Sequence, residues 1–322
     1  MNADSILITG GAGFIGSHLV DRLLATTNAR VVVVDNFSDY YPPEIKLANV
    51  RQHLENPRYQ LHKIDIRDCD KLHEIVAANS FETIIHLAAC TGVRPSLEQA
   101  RFYEQVNVTG TLNLLELARE FKIERFIFGS SSSVYGANPN APFSEEMLPM
   151  PISPYAATKA AGEMLAYTYS HLYNIKTVCL RFFTVYGPRQ RPDLAIHKFA
   201  CLMSENKPIP VFGDGTTQRD YTFVDDIVNG IVAALDYNLT PYEAINLGCS
   251  NMISLNRLIE LIEAALGIEA NINRLPMHPG DLLLTHADIS KAEKLLSYAP
   301  QTTIENGVAK FVAWFRSVEN SK

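Results

Sequence analysis

A doubly wound α/β fold with a smaller α/β unit appended is what this 322-residue sequence predicts, and two observations carry the prediction. Through the first 180 residues, short and nearly unbroken apolar runs alternate with helical patterns. Strands written that way are buried on both faces, as in a parallel sheet covered by helices. Beyond about residue 185 the alternation loosens into short strands mixed with amphipathic helices.

The elements follow in order. "ILIT" reads as the first strand, "FIGSHLVDRLLA" as the first helix and "RVVVVD" as the second strand. The β-branched runs "TIIHLAA", "RFIFGSS" and "TVCLRFF" continue the sheet, with helical stretches between them. Right-handed crossovers then place helices on both faces. Later, "IPVFG", "AINLG" and "INRLP" read as short strands of the smaller unit. In "SLNRLIELIEAALG", Leu255, Leu258, Ile259, Ile262 and Leu266 share one helical face and Gly267 closes the helix. The expected division is residues 1–185 for the sheet-bearing domain and 186–322 for a smaller substrate-binding domain, with some segments interleaved.

Bulk properties narrow the function. With 47% hydrophobic residues the chain can bury a sizeable core, and its net charge of −7 offers no basic field to nucleic acid or an anionic membrane. An anionic substrate would have to be held by a few placed arginines and backbone amides. Five scattered cysteines, none in a zinc spacing, read as reduced, mostly buried thiols of a cytoplasmic protein, and no metal site is expected. No run approaches 18 apolar residues, and the chain enters its first strand without a basic leader, so neither secretion nor a membrane span is expected.

"TGGAGFIG" joins the first strand to the first helix. Gly10, Gly13 and Gly16 permit a tight turn, close approach of a pyrophosphate and close helix–sheet packing, and the helix N-terminus supplies amides and a positive dipole end. Asp35 ends the second strand, where a carboxylate accepts from a ribose 2′-hydroxyl and repels a 2′-phosphate. These features make the sheet a Rossmann-type one and favour NAD over NADP. In "SPYAATKAAGE", Tyr155 and Lys159 stand four residues apart, on one face of a helix. Either the pair is solvated helix surface, or the lysine lowers the pKa of a tyrosine that moves a proton.

The spacing of the glycines, "DI" at Asp65–Ile66, "HLAA" at 86–89, "NVTGT" with Asn107, "SSSVYG", "SPYAATK" and "LRFFTVYGPRQRPD" occur in this order. The chain thereby resembles, essentially end to end, the extended short-chain dehydrogenase/reductase superfamily of NAD-dependent nucleotide-sugar epimerases and dehydratases. The resemblance implies that Tyr155 is the acid/base, Lys159 its electrostatic partner and a ligand of the nicotinamide ribose, and Ser131 the third catalytic member. It places Gly10, Gly13, Phe14, Ile15, Gly16, Asp35, Asn36, Asp65, Ile66, Leu87, Ala88, Ala89 and Asn107 around the cofactor. Dehydratases and decarboxylases of the superfamily carry carboxylates just before "VYG"; here Ser132 and Ser133 stand there, which cannot act as acids near neutral pH. That points to an epimerase: Tyr155 takes the 4-hydroxyl proton as carbon 4 gives hydride to NAD, the keto sugar turns over, and hydride returns to its other face.

For the substrate, the resemblance puts Arg219 on the diphosphate, Val211 of "IPVFG" against uracil and Asp281 of "PGD" over the uridine ribose. His278 stands where galactose-type epimerases have an arginine. "DNFSDYYPPEIK", "TGVRPS" and "FTVYGPRQRPDLA" are most similar to those of UDP-glucuronate 4-epimerases. Thr184, with Ser132 and Ser133, is then expected to hold the carboxylate at carbon 6; Arg191 would reach that carboxylate or the phosphates, while Arg94 reads as a surface arginine. The alternatives are a 4-epimerase of neutral UDP-hexoses or N-acetylhexosamines, a UDP-glucuronate decarboxylase, and a non-catalytic NAD-sensing relative. The resemblance also implies a homodimer, paired through helices around 98–120 and 153–173.

Overall fold

The structure is a computed structural model that describes residues 5–277 and 282–319. His278 and Asp281 lie outside the described residues. Among the described residues twelve strands are formed: β1 (Ser5–Thr9), β2 (Arg30–Val34), β3 (Tyr59–His62), β4 (Thr83–His86), β5 (Arg125–Ser131), β6 (Lys176–Phe182), β7 (Thr184–Tyr186), β8 (Ile209–Phe212), β9 (Gln218–Phe223), β10 (Tyr242–Leu247), β11 (Met252–Ser254) and β12 (Ile272–Leu275). Seven make one all-parallel sheet in the order β10-β6-β5-β4-β1-β2-β3.

The apolar runs behave as two-sided strands. In β1, Ile6 and Ile8 pack into one helix layer while Leu7 packs into the other. Val31 and Val33 of β2 join the first layer, Val32 and Val34 the second, so the period of two feeds both faces at once. Winding outward from β1 in both directions leaves a crevice between the carboxyl ends of β1 and β4, where open α/β sheets bind ligands.

One strand differs from expectation. "AINLG" does not belong to the smaller unit: β10 extends the main sheet, with Leu247 opposite Phe182. The helix Val224–Ala234 also leaves the cap and packs on the first helix, Phe14–Thr26, where Arg22 bonds Asn229. What remains beyond residue 185 forms a three-stranded sheet, β11-β9-β7, and a parallel pair, β8 with β12. The helix Leu255–Leu266 forms as read, closed by Gly267 at φ 68°.

The region expected as one helix over 98–120 is broken. It consists of Val93–Glu98, Ala100–Glu104, a wide turn over Gln105–Thr109 and the helix Gly110–Glu120. The helix Pro154–Tyr173 is continuous. The Ser153 hydroxyl accepts from the Ala156 amide, Pro154 fixes the first turn, and Asn174 ends it in the left-handed region at φ 56°. No helix among the described residues is long and apolar enough to cross a membrane. The five cysteines are free, but only Cys179 is buried; Cys90, Cys201 and Cys249 are half-buried and Cys69 is exposed.

Candidate active site

The glycine loop is set by close packing. A Cβ on Gly10, whose φ is 74°, would lie 2.7 Å from the Ala88 nitrogen, and one on Gly16 would lie 2.2 Å from the Gly10 carbonyl oxygen. No other residue fits either position. Gly13 starts the first helix with no side chain capping its amides, so the helix presents its amino end to the crevice. Phe14 is buried in the core and can offer a ligand only its backbone; Ile15 is half-buried.

Asp35 is buried at the end of β2. Its carboxylate accepts from the Ala12 amide at 3.3 Å and the Phe37 amide at 2.9 Å, and Lys46 Nζ lies 3.4 Å away. A carboxylate has about four acceptor sites, so a ribose hydroxyl can still be accommodated. Asn36 donates to Asp65 at 2.8 Å, and Arg67 grips Asp65 through Nε at 2.9 Å and Nη2 at 3.0 Å. Burial raises the Asp65 pKa, but the bonds from Arg67 and Asn36 outweigh it and hold the carboxyl below its ordinary value. Leu87, Ala88 and Ala89 follow β4 into the same crevice, and Ile66 packs beneath Gly110. These backbone amides, carboxylate and apolar walls fit a dinucleotide.

Asn107 differs from expectation. Its oxygen accepts from the Cys90 amide at 2.8 Å, and its nitrogen donates to the Cys90 carbonyl at 2.9 Å and to Thr158 Oγ1 at 3.0 Å. The amide is spent bracing the loop after β4 against the helix next to Lys159. The wide turn over 105–109 points it inward.

The catalytic trio comes together where Pro154–Tyr173 crosses the end of β5. Ser131 Oγ accepts from the Ser133 amide at 3.1 Å, which leaves its O–H to donate towards the Tyr155 phenol, whose pKa it lowers. The Tyr155 ring meets Tyr103 edge-on at 6.3 Å. Burial raises the phenol's pKa above its ordinary value; Ser131 and Arg191 oppose the rise. The Lys159 ammonium, one turn along the same helix face, donates to the Gly129 carbonyl at 2.7 Å and lies 4.9 Å from the centre of the Phe128 ring. Burial pulls the Lys159 pKa down to about 8, with Glu163 opposing. Ser132 and Ser133 occupy the tight turn Ser132–Tyr135 that leaves β5.

On the substrate side the expected residues are unequal. Thr184 opens β7 opposite Tyr221, half-buried. Arg191 places Nε and Nη2 on Asp193 at 2.9 and 2.8 Å, Nη1 on Thr91, and its guanidinium 5.6 Å from the Tyr40 ring centre. Its fork is thus engaged inside the protein, though its charge still reaches Tyr155. Arg219, on β9, donates to the carbonyls of Gln218 at 2.8 Å and Leu282 at 2.7 Å. Val211 has its side chain fully buried, and alternation along β8 turns Pro210 and Phe212 outward. Arg94 is exposed and lies 4.1 Å over the Phe212 ring, so the surface reading omitted a stacking role.

Sequence reasoning missed a buried polar chain behind the trio. Ser130 Oγ donates to Glu163 at 2.5 Å; Arg181 binds both Glu163 oxygens at 2.9 and 2.7 Å and reaches the Tyr135 hydroxyl at 3.0 Å; that hydroxyl donates to Asn246 at 2.6 Å. The signal was present, since Glu163 continues the four-residue step from Tyr155 through Lys159.

Known proteins resemble this chain in sequence and in shape. A profile of the GDP-mannose 4,6-dehydratase family matches residues 7–311. The UDP-glucuronate 4-epimerase of Thermodesulfobacterium geofontis is 44% identical over 310 residues, spanning 96% of this chain and 95% of that protein. The crystal structure of UDP-glucuronic acid 4-epimerase from Bacillus cereus, in complex with UDP-glucuronic acid and NAD, superposes with a TM-score of 0.92 at 40% identity, covering 98% of this chain and 99% of that one. UDP-glucose 4-epimerase of Thermotoga maritima, with UDP-glucose, does so with a TM-score of 0.90 at 32% identity, covering 98% and 99%. Matched over its length in sequence and in shape, with glycine loop, acidic strand end and Ser–Tyr–Lys cluster in their places, the chain belongs to the GDP-mannose 4,6-dehydratase-like family of NAD-dependent epimerases and dehydratases, within the short-chain dehydrogenases/reductases.

Proposed function

We propose that this protein is a UDP-glucuronate 4-epimerase, interconverting UDP-glucuronate and UDP-galacturonate with a retained NAD. The observation that carries the reading is the end of β5: Ser131 faces Tyr155, and the next two positions are serines rather than carboxylates. The full-length likeness to UDP-glucuronate 4-epimerases supports the choice of sugar.

The residues divide the work as follows. Gly10, Gly13 and Gly16 with the first helix cradle the pyrophosphate, and Asp35 takes the ribose. When bound, NAD supplies the hydride acceptor and donor at carbon 4 and a positive charge. A phenol is already protonated at neutral pH and burial raises the Tyr155 pKa further, so cationic charge must favour its phenolate, and Lys159 and Arg191 are placed to contribute. Ser131 donates to the phenolate oxygen or to the sugar hydroxyl as the proton moves to Tyr155. Ser132, Ser133 and Thr184 hold the carboxylate by hydrogen bonds and keep its carbon–carbon bond out of line with the keto group, which guards against loss of CO₂. Arg219 shifts from backbone carbonyls to the diphosphate, to which guanidinium is suited. The enzyme works as a homodimer in the cytoplasm, where its free thiols stay reduced.

A second reading, a 4-epimerase of neutral UDP-hexoses, is favoured by one observation: Asp193 already occupies the Arg191 fork. Incubating purified protein with UDP-glucuronate and no added cofactor separates the two. UDP-galacturonate as sole product is expected. A pentose product with CO₂ would replace the reading by a decarboxylase, and turnover of UDP-glucose alone would favour the second.

A further inference from the structure

The face of the helix Pro154–Tyr173 that carries the catalytic pair has a third member. Tyr155, Lys159 and Glu163 follow at steps of four and therefore stack along one side. The three meet neighbouring residues of β5: Lys159 bonds the Gly129 carbonyl, Glu163 takes the Ser130 hydroxyl, and Tyr155 faces Ser131. Glu163 reaches one strand further, because Arg181 of β6 stands opposite Ser130 in the parallel register. From Arg181 the chain of bonds continues to Tyr135, the last residue of the serine turn. Ser130 precedes that turn and Tyr135 closes it, so a single carboxylate holds both ends of the segment that presents Ser131, Ser132 and Ser133.

We infer that Glu163 is a positioning residue of the active site: it anchors the catalytic helix to β5 in the register that brings Tyr155 to Ser131, and it sets a carboxylate one helical turn from Lys159. The inference rests on the catalytic reading of Tyr155 and Lys159.

The charges around Lys159 show why one carboxylate matters. His86, on β4, is buried and its pKa is pulled down to about 3, so it is neutral at working pH. Cys90, after β4, is pushed up to about 11, and burial also raises Cys179 on β6; both are neutral thiols near pH 7. Tyr155 is a phenol there, and Phe128 and the Gly129 carbonyl are uncharged. Arg181 contributes a second buried cation, whose charge its partners stabilise. Glu163 thus faces two buried cations; Arg181 also feels Glu145, and the Tyr242 phenol beside Glu163 is kept neutral by burial, so Glu163 is the carboxylate that acts on Lys159 itself. Without Glu163, Arg181 stays protonated and Lys159 is the group that gives up its proton.

The test is the pH profile of kcat for Glu163→Gln, Glu163→Asp and wild type. Glu163→Gln should move the alkaline limb down by about one pH unit, giving roughly a tenfold loss on that limb, with a much smaller loss near pH 6.5. Glu163→Asp, which keeps the charge on a shorter arm, should return the limb toward its wild-type place while kcat stays reduced. Glu163→Gln leaves Arg181 buried and unpaired, so Glu163→Leu with Arg181→Met serves as a second variant. Replacing both partners of a buried pair is commonly tolerated, and a smaller shift in the same direction is expected, because the Arg181 cation that repels Lys159 leaves together with the carboxylate. A uniform loss at every pH, with the limb unmoved in both variants, would show Glu163 to be scaffold alone and overturn the inference. A wild-type protein inactive on every UDP-sugar offered would instead remove the catalytic reading, and this inference with it.

Discussion

Lys159 carries an ammonium into the core, and that cost has a definite pH signature. Its pKa falls from 10.5 to about 8 on folding, so between these values the unfolded chain binds the proton and the folded one does not. Stability therefore rises with pH across this window, and the penalty is present in full below pH 8. At 1.36 kcal/mol per unit, the gap corresponds to about 3 kcal/mol. Lys159→Met should abolish turnover, and its stability relative to wild type should be greater at pH 7 than at pH 10 by about that amount, read from denaturant midpoints. An equal stability difference at both pH values would mean that the ammonium is never discharged in the folded protein. At this scale the sequence was legible where spacing alone determines proximity, as for Tyr155 and Lys159. It was not legible where a partner comes from another strand. Lys159 donates to the Gly129 carbonyl of β5, and Val211 is buried because Ile209 and Val211 share the inward face of β8.

The contact between the catalytic helix and β5 has almost no slack. A Cβ on Gly162 would lie 2.5 Å from Cζ and 3.0 Å from Cε1 of Phe128, a ring buried in the core and unable to retreat. Gly162→Ala must push the helix off the strand, lengthening the Lys159–Gly129 bond and moving Tyr155 from Ser131. Overpacking of this kind costs about 1–3 kcal/mol, and a small misplacement of reacting groups costs about 100-fold in rate. The expected result is a protein that folds with lowered Tm and at least tenfold lower kcat. Gly267→Ala is the control: no atom lies within 4 Å of its Cβ, but φ is 68°, so it should lose about 1–2 kcal/mol and no activity. If Gly162→Ala keeps full kcat, the helix–strand register is not what positions the trio. Most elements were readable because buried parallel strands write themselves as unbroken apolar runs. β10 was misplaced because its apolar run says that it is buried, not which strand it pairs with. The break over 93–120 escaped notice because the wide turn is fixed by Asn107 bonding Cys90, a contact between segments 17 residues apart.

For the molecule as a whole, the same helix that turns Tyr155, Lys159 and Glu163 inward turns apolar side chains outward. Met164 is 64% exposed, Tyr167 55% and Leu172 59%, at helical spacings that align them; Leu97 and Phe102, on the two short helices before the wide turn, are exposed as well. Family resemblance implies a dimer contact here, whereas composition and periodicity show only that the face is apolar. A stable contact between copies buries about 1,600 Å² in all and concentrates its energy in a few central apolar anchors. Sedimentation of the wild-type chain at micromolar concentration should therefore give twice the 35.8 kDa of one chain. Met164→Lys with Leu172→Glu should give the single-chain mass, because a charge left unpaired in a closed apolar contact costs several kcal/mol. Neither substitution touches the inward face, so the variant should keep its fold by circular dichroism. A wild-type monomer, or a double variant that still dimerises, would show that this face is not where the copies meet.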